Sequence, residues 1–508
     1  MPRHRLARAA LLLTVFICAA CGLVYELSLV TLGSYLIGDT AAQASITLSV
    51  MVCSMGVGAL LAKPLRPHAA AAFVAVELAL AVVGGLSVAV LYASFAWLNI
   101  YTGTLVLAAA VIGMLVGAEI PLLMELLQDI RKQEASSAVA DLFAADYVGA
   151  LLGGLAFPFL LLPVFGQIRG SLVVGVVNAV AGLALAFFFF RDKMTRGARH
   201  TLIAATLAVA CGLTGSYLYA DRFEATAQQA LFAHPIVWQT RTPYQQIVLT
   251  ESFSPFGTTD TRLYLNGGLQ FSSVDEYRYH EALVHPVLAG SRRSVLVLGG
   301  GDGLALREIL RYPDVGQVTL VELDPAIIDL ARSDDRLADL NGNSFDDPRV
   351  TVVNADAFTW LRSAPGLFDA VIVDLPDPDQ TSVAKLYSQE FYAMTANVLA
   401  PGARMVVQSG SPFFAPRSFW TIDATLRSAG LHTTPFHVDV PSFGDWGFIL
   451  AAPTKPIPAL RSPHTLRSLD EPTLAAATVF PPDRRPTEPA VSTLMHPVIL
   501  DLQRQEWR

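Results

Sequence analysis

The sequence has few charged residues, and the shortage is confined to its first part. Only 15% of the 508 residues are Asp, Glu, Lys or Arg, whereas an average soluble protein has about 25%. Residues 1–220 carry 12 basic and 10 acidic residues, and residues 221–508 carry 23 and 33. This contrast excludes one uniform soluble domain, and the apolar content of 53% excludes a disordered chain. The acidic second part also argues against nucleic acid as a partner.

Cysteine is equally scarce. The four cysteines are Cys18, Cys21, Cys53 and Cys211, and all of them lie in apolar stretches of the first part. The second part therefore offers neither a disulfide framework nor a CxxC zinc site, and the sequence predicts no metal site.

Long apolar stretches fill residues 1–220, which we interpret as a multi-span α-helical membrane domain. Each stretch is close to the roughly 20 residues that cross a bilayer. No A-x-A-like cleavage site ends the first one, so it is interpreted as a retained span rather than a signal peptide. The stretches are seven: Ala9 to Val30, Ala44 to Ala62, Ala70 to Trp97, Thr104 to Leu127, Tyr147 to Phe165, Ser171 to Phe190 and Thr201 to Tyr219.

Two kinds of polar residue stand out in this part. Basic residues in the loops fall almost entirely on one side, which predicts a cytoplasmic N-terminus. They are Arg3, Arg5, Arg8, Lys63, Arg66, Arg131, Lys132, Arg191, Lys193, Arg196 and Arg199, against Arg169 on the other side. Acidic residues lie in or beside the spans, where they are expensive to bury and often mark a pathway. They are Glu26, Glu77, Glu119, Glu125, Asp141 and Asp146.

The second part changes from strand-rich sequence to alternating strands and helices. After a linker-like stretch from Asp221 to Pro235, residues 221–290 predict a small β-domain with a hairpin at Asn266-Gly267-Gly268. Residues 291–452 alternate buried strands with helices, which predicts a doubly wound, Rossmann-like parallel sheet of the methyltransferase type. Residues 453–508 are rich in proline and are expected to form a loosely packed tail.

Glycines and acids mark the predicted carboxyl ends of these strands, where open parallel sheets bind ligands. A glycine loop at residues 299–303 follows the first strand, and Glu322 ends the next strand. An acid at that position can accept both ribose hydroxyls of a nucleoside. Asp356, expected near an adenine amino group, and Asp374 end the following two strands. Burying these acids without a ligand would be costly, so the series predicts a nucleoside site.

Asp302 inside the glycine loop restricts the choice of nucleoside. It would repel a pyrophosphate, which disfavours a dinucleotide. S-adenosylmethionine carries no phosphate and fits better. Asp302 also favours a donor amine over a donor carboxylate, which fits decarboxylated S-adenosylmethionine.

Four sequence segments together resemble the spermidine synthase (polyamine aminopropyltransferase) family, and their arrangement after the apolar spans resembles its membrane-bound bacterial branch. They are VLVLGGGDGLALREIL (residues 295–310), VTLVELDPAIIDLAR (318–332), LYLNGGLQFSSVDEYRYHE (263–281) and DLPDPDQTSVAKLYSQEFY (374–392). The resemblance implies transfer of an aminopropyl group from decarboxylated S-adenosylmethionine to putrescine. The products would be spermidine and 5′-methylthioadenosine. The donor is a co-substrate, and no permanently bound cofactor is implied.

The resemblance also implies roles for individual residues. Asp374 would accept the proton of the attacking amine, and Asp377 would bind the incoming diamine. Asp302 and His280 would contact the aminopropyl and amine groups, with Tyr279 and Gln270 lining the site. The adenosine part of the donor would be held by Gln245, Glu322, Asp356 and Ala357.

Two departures from the family pattern concern the acceptor amine. Leu375 and Pro376 stand between the paired acids in place of small polar residues, and Thr381 replaces a usual proline. Phe443 stands where soluble members carry a tyrosine that helps to hold the amine. The identity of the acceptor therefore stays open.

Two other functions stay open on sequence grounds. One is an S-adenosylmethionine-dependent methyltransferase, and the other is a polyamine transporter or sensor with a non-catalytic synthase-like domain. We expect a multi-pass protein of the inner cell membrane, in contact with lipid and able to form homo-oligomers. Because the donor is made in the cytoplasm, the catalytic domain is expected there, although seven full spans after a cytoplasmic N-terminus would place it outside.

Overall fold

The computed structural model describes residues 2–37, 40–131, 135–189, 194–253, 257–485 and 489–507. Contacts divide the chain into two compact units, Met1–Ala233 and His234–Arg508. Of the basic loop residues named above, Lys132, Arg191 and Lys193 lie outside the described residues.

The N-terminal unit is helical throughout most of its described length. Six of its helical stretches are long and apolar enough to cross a membrane, which supports a membrane-spanning region. Its helices are α1 (Pro2–Ile37), α2 (Thr40–Leu61), α3 (Ala69–Ala93), α4 (Tyr101–Arg131), α5 (Ala135–Ala156), α6 (Leu162–Phe189) and α7 (Arg196–Gln229).

One of the six stretches, Val139–Leu185, joins α5 and α6 and is 47 residues long. A helix of that length would extend roughly 70 Å, more than twice the thickness of the bilayer core. Gly166 interrupts it with φ 70° and ψ −173°, which is not a helical conformation. Since L-residues rarely adopt this φ, glycine permits the break, and α5 and α6 become separate segments.

The directions of these segments follow from their close contacts. Gly149 and Gly153 of α5 lie against Phe16 and Ala20 of α1, so these two helices run in the same direction. A Cβ atom on Gly149 would lie 2.2 Å from the Phe16 carbonyl oxygen. The small residues of this segment thus permit close helix packing.

Helix α6 runs the other way. Gly175 and Gly182 of α6 lie against Ala81 and Glu77 of α3, respectively, so α6 is antiparallel to α3. Gly84 of α3 contacts the ring of Tyr25 in α1. Cys18 of α1 also lies beside Glu77 of α3, so α1 and α3 run in the same direction. Because α5 is parallel to α1 and α6 is antiparallel to α3, the chain reverses between α5 and α6, and these two segments are separate passes through the bundle.

The boundary after the helical unit differs from the expected one. The stretch from Asp221 to Pro235 was expected to be a linker, but α7 continues as a regular helix to Gln229. Its Asp221 carboxylate accepts a hydrogen bond from Arg169 at 2.6 Å. Ala227 and Gln228 are buried, so this turn is packed and does not form a free connection.

The second unit begins with a four-stranded antiparallel meander. Its strands are β1 (Ile236–Arg241), β2 (Gln246–Phe253), β3 (Thr259–Leu265) and β4 (Gly268–Ser272), in sequential order. The predicted hairpin joins β3 to β4, where Asn266 and Gly267 have φ of 50° and 84°. Two positive φ angles are typical of a type I′ turn, which explains Asn-Gly at this position.

A seven-stranded sheet with helices on its faces forms the rest of the unit, as expected from the alternating pattern. Its strand order is β10-β11-β9-β8-β5-β6-β7. The strands are β5 (Ser294–Gly299), β6 (Gln317–Glu322), β7 (Val350–Asn354), β8 (Phe368–Asp374), β9 (Leu399–Gln408), β10 (His432–Val440) and β11 (Gly444–Ala452). Strands β5 to β9 are parallel, while β10 and β11 form an antiparallel hairpin.

Short helices connect and follow these strands. They are α8 (Glu276–Val284), α9 (Leu304–Leu310), α10 (Pro325–Ser333), α11 (Asp335–Asn341), α12 (Ala357–Leu361), α13 (Thr381–Ala384), α14 (Gln389–Asn397), α15 (Pro416–Ser428), α16 (Glu471–Ala477) and α17 (Val498–Glu506). The apolar core is continuous on both faces of the sheet, with β5 contributing Val295 and Val297 to one face and Leu296 and Leu298 to the other.

The expectation of a loosely packed C-terminal tail is wrong for its described part. Leu474 of α16 and Ile499 of α17 are buried in the two halves of the core. Glu506 accepts hydrogen bonds from the backbone N–H groups of Arg417 and Ser418 at the start of α15. The high proline content of residues 453–508 favoured a loose tail, but two amphipathic helices form in this stretch and complete the unit.

Candidate active site

The candidate site lies at the carboxyl ends of the parallel strands. The chain leaves β5 toward β6 on one side and later returns to β8 on the other, so β5 and β8 flank the point where the strand order reverses. Ligands of doubly wound sheets bind in the crevice at this point. The loop after β5 and the end of β8 are therefore the first places where functional side chains are expected.

The glycine loop after β5 is tightly packed between two of the predicted acids. Gly299 has φ 86°, and a Cβ atom there would lie 2.0 Å from the backbone oxygen of Asp374. A Cβ atom on Gly301 would lie 2.9 Å from Glu322 Oε2. Only glycine fits both positions, which explains the run of glycines and places Asp374 and Glu322 on opposite sides of the loop.

Glu322 ends β6 and is linked to Gln245 through a third residue. Its Oε1 accepts a hydrogen bond from the Asp324 N–H at 3.0 Å. Gln245 Nε2 in turn donates to Asp324 Oδ2 at 3.0 Å. Burial raises the pKa of Glu322 to about 7. The structure thus brings two predicted donor-binding residues together, with the buried Asp324 as the connection.

Asp302, in the glycine loop, lies close enough to His280 for their charges to interact. His280 Nδ1 lies 2.9 Å from Glu276 Oε2, and Arg307 forms two 2.9 Å hydrogen bonds with the Glu276 carboxylate. Although burial alone lowers the pKa of His280, Glu276 raises it above the usual value, with smaller contributions from Asp302 and Asp374. The predicted histidine is therefore fixed in orientation and surrounded by negative charge.

Asp374 at the end of β8 accepts a hydrogen bond from one side chain among the described residues. Tyr279 Oη donates a hydrogen bond to Asp374 Oδ1 at 2.6 Å. Burial, together with the charge of Asp302, raises the pKa of Asp374 to about 6. A carboxylate with this pKa is mostly ionised at neutral pH and can still accept a proton, which suits a general base.

Asp377, three residues further on, is held by two amide side chains. Gln408 Nε2 lies 3.1 Å from Asp377 Oδ1, and Gln503 Nε2 lies 3.1 Å from Asp377 Oδ2. Burial raises the pKa of Asp377 to about 6. Gln408 also lies 2.6 Å from the carbonyl oxygen of Leu375. The segment between the two acids is therefore anchored to the end of β9.

Asp356 and Ala357 begin α12, beyond the end of β7. Asp356 caps the helix by accepting from the Thr359 N–H at 2.8 Å, and it pairs with Lys385 Nζ at 2.6 Å. Burial alone would raise the pKa of Asp356, but the hydrogen bonds from Lys385 and Thr359 hold it below the usual value. Ala357 is buried. Both residues lie at the predicted edge of the sheet.

The contacts of Gln270 and Phe443 give little support to a role of these side chains in holding the amine. Gln270 Nε2 donates to the carbonyl oxygen of Gly268 in its own strand, and in the described part of the chain Gln270 forms no hydrogen bond with the acids. The ring of Phe443 packs edge-on against the ring of Tyr279, with the ring centres 6.1 Å apart. Its ring centre lies 4.9 Å from that of Trp446. Phe443 thus makes aromatic contacts at the position where soluble members of the family carry a tyrosine.

Three residues of the site were missed in the sequence: Asp324, Gln408 and Gln503. The Asp-Pro pair at residues 324–325 is a recognisable helix start, but its second role toward Gln245 needs the fold. Gln408 ends a strand, as the predicted acids do, so the same rule could have found it. Nothing in the local sequence marks Gln503.

The sequence of this chain matches the family model described as "Spermine/spermidine synthase domain" over residues 276–459. It is 58% identical to polyamine aminopropyltransferase 1 of Streptomyces coelicolor, over 99% of this chain and 95% of that protein. It is 52% identical to the polyamine aminopropyltransferase of Mycobacterium tuberculosis, over 98% of this chain and 97% of that protein.

The chain belongs to the polyamine aminopropyltransferase family. The matches to these relatives run through the helical unit as well as the synthase unit, so the two-part organisation is shared. This aminopropyltransferase is an enzyme of polyamine biosynthesis, and the methyltransferase and non-catalytic alternatives lose their support.

Among solved structures, the chain resembles a spermidine synthase in complex with the transition state analogue AdoDATO. The two are 25% identical with a TM-score of 0.44, and the match covers 48% of this chain and 85% of that chain. The spermidine synthase of Thermotoga maritima is 24% identical with a TM-score of 0.43, over 48% of this chain and 84% of that chain.

Proposed function

We propose that this aminopropyltransferase transfers the aminopropyl group of decarboxylated S-adenosylmethionine to putrescine, giving spermidine and 5′-methylthioadenosine. The observation that carries the proposal is the pair Asp374 and Asp377. Both carboxylates lie at the end of β8, and both have a pKa raised to about 6. Two acids in succession match an acceptor that carries two ammonium groups.

In the proposed reaction the acceptor amine must first lose its proton. Asp374 takes that proton, which frees the nitrogen lone pair. The nitrogen then forms a bond to the aminopropyl carbon attached to sulfur, while the carbon–sulfur bond breaks. The sulfonium leaves as the neutral thioether of methylthioadenosine. Tyr279 holds Asp374 through its 2.6 Å hydrogen bond, so the base is oriented before the substrate arrives.

The same site residues support the choice of donor. Asp302 lies next to His280 and adds negative charge where the donor amine would bind, whereas a donor carboxylate would be repelled. We assign Glu322, Gln245, Asp356 and Ala357 to the adenosine part of the donor. His280, Tyr279 and Gln270 complete the proposed substrate site, although Gln270 has no described contact with the acids.

We further propose that the enzyme is a multi-pass protein of the inner cell membrane with a cytoplasmic catalytic unit. Six long apolar helical stretches support the membrane location. The cytoplasmic placement rests on the supply of the donor, which is made in the cytoplasm. Assembly into homo-oligomers stays a prediction.

The test is a detergent-solubilised assay that follows methylthioadenosine with putrescine, cadaverine or spermidine as acceptor. We expect turnover to be fastest with putrescine. Asp374→Asn should reduce kcat by at least a hundredfold, the usual size of a general-base contribution. Asp329→Asn, at an exposed position of α10, is the matched control and should leave turnover unchanged. Donor binding without turnover for any amine would overturn the proposal.

A further inference from the structure

Buried polar side chains from separate helices meet inside the N-terminal unit. Cys18 of α1, Glu77 of α3 and Glu119 of α4 each place one ligand atom within 4.8 Å of the other two. All three residues are at most 5% exposed. The three residues are far apart in sequence, so the fold itself assembles this cluster inside the bundle.

Several carboxylate oxygens of the cluster lack a well-formed hydrogen bond among the described residues. Both carboxylate oxygens of Glu77 and Oε1 of Glu119 have no hydrogen-bond partner among the described residues. Asn178 of α6 donates from Nδ2 to the Glu77 backbone oxygen at 3.3 Å, which places its side chain beside the cluster. Its buried Oδ1 also has no partner among those residues. Four buried acceptor atoms in one cluster, none with a well-formed hydrogen bond among the described residues, favour a cation as their ligand.

The composition of the cluster restricts which cation fits. With bonds of about 2.3 Å to sulfur and about 2.0–2.2 Å to oxygen, two donors of a tetrahedral zinc ion lie roughly 3.5 Å apart. The three ligand atoms lie within 4.8 Å of one another, so side-chain shifts of roughly 1 Å would bring them to one ion. A thiol among the donors favours a borderline-soft ion such as Zn²⁺, because Mg²⁺ and Ca²⁺ prefer oxygen ligands alone. The two carboxylates are also too close for the two separated charges of a diamine.

The bundle leaves a small space next to the cluster. Glu119 lines a cavity of about 10 Å³ with Asp146 of α5, and the remaining lining is apolar. Such a cavity has room for about one water molecule. This space would hold a coordinated water or serve as part of the entry route for the ion.

We propose that the N-terminal unit binds one divalent transition-metal ion of the zinc class. Its ligands are Cys18 Sγ and the carboxylates of Glu77 and Glu119, with Asn178 Oδ1 as the fourth donor. Binding displaces the thiol proton, so the site carries one negative charge in excess. Tyr25, two helical turns after Cys18 on the same face of α1, has a buried hydroxyl without a described partner, which can donate toward that charge. The ion links α1, α3, α4 and α6.

Cobalt provides the test, since Co²⁺ substitutes for Zn²⁺ and absorbs light. The full-length protein in detergent is treated with a chelator and titrated with Co²⁺. We expect one equivalent to bind, with the near-ultraviolet absorption of a thiolate–cobalt bond. Cys18→Ser should abolish this absorption, and Glu77→Gln should weaken cobalt binding at least tenfold.

Matched variants distinguish the loss of the metal site from general effects of substitution on the protein. Cys53→Ser and Cys211→Ser remove exposed free cysteines, and Glu26→Gln removes a carboxylate outside the cluster; all three should leave the spectrum unchanged. Glu119→Gln keeps its side-chain size and repeats the test if Cys18→Ser fails to fold. Failure of the wild type to bind Co²⁺, or a spectrum that survives in both Cys18→Ser and Glu119→Gln, would overturn the proposal. The readout is independent of aminopropyl transfer.

Discussion

Gln503 donates a hydrogen bond from Nε2 to Asp377 Oδ2 at 3.1 Å, across 126 residues of sequence. The donor belongs to α17, and the acceptor follows the central strand β8. Trp507, just after this helix, packs against Phe414 and Trp446 at ring distances of 5.6 and 6.4 Å. The C-terminal helix therefore contributes a buried side chain to the proposed acceptor site.

We expect Gln503→Leu to raise the KM for the amine about tenfold while donor binding is unchanged. The reason is that a hydrogen bond to a charged group contributes about 1.5 kcal/mol or more, and here it orients the carboxylate that would hold the diamine. Initial rates at varied amine concentration measure the effect. Gln505→Leu, at an exposed position of the same helix, should behave as wild type. An equal loss in both variants would assign the effect to the helix rather than to the hydrogen bond.

The pH dependence of the wild type should show an acid limb near pH 6. Asp374 and Asp377 must be ionised to accept a proton and to bind an ammonium group, and the pKa of each is raised to about 6. Activity is therefore lost as the pH falls through 6, whereas ordinary aspartates would stay ionised to about pH 4. A profile of kcat/KM between pH 4.5 and 8 checks this. A limb centred near pH 4 would contradict it.

Tyr279→Phe should shift the acid limb of kcat to higher pH. The tyrosine hydroxyl stabilises the ionised form of Asp374, so its removal raises the pKa of that carboxylate further. A shift of about one pH unit corresponds to the loss of a hydrogen bond of about 1.4 kcal/mol. At pH values well above the shifted limb, the variant should largely retain its activity.

The control for this experiment is Tyr277→Phe, which removes a hydroxyl two residues away on the same helix. Its ring packs against Arg467 rather than against Asp374. Its pH profile should match the wild type. If Tyr279→Phe instead lowers activity equally at every pH, the hydroxyl acts on packing or substrate binding and not through Asp374.

Local sequence rules recovered the parts of the site that local structure determines. Strand ends carry Glu322, Asp356 and Asp374 because a parallel sheet brings its carboxyl ends to one edge. The Asn266-Gly267 turn was predictable for a similar reason, since few residues tolerate two positive φ angles. These features depend on only a few neighbouring residues each.

Other features were not predictable because they depend on contacts between distant segments. Gln503 lies in a proline-rich stretch whose composition suggested loose packing. The β10–β11 hairpin carries the turn residues Pro441, Ser442 and Gly444, but its pairing with β9 at one end of the sheet depends on the fold. The partners of Cys18 in the helical bundle are separated from it by several passes of the chain. In each case the deciding contact is visible only in the folded molecule.

Reporter fusions should place the C-terminus in the cytoplasm. Alkaline phosphatase fused after Trp507 should be inactive, and a green fluorescent protein at the same position should fluoresce. The reason is metabolic supply, since the donor is made in the cytoplasm. Two observations oppose a cytoplasmic C-terminus: the segments α5 and α6 reverse at Gly166, and the basic loops favour a cytoplasmic N-terminus.

Phosphatase fused after Thr195, before α7, is the paired control. With a cytoplasmic C-terminus and one crossing by α7, this second fusion must be active. Phosphatase activity at Trp507 with none at Thr195 would refute the cytoplasmic placement and show that charge bias, not donor supply, orients the enzyme.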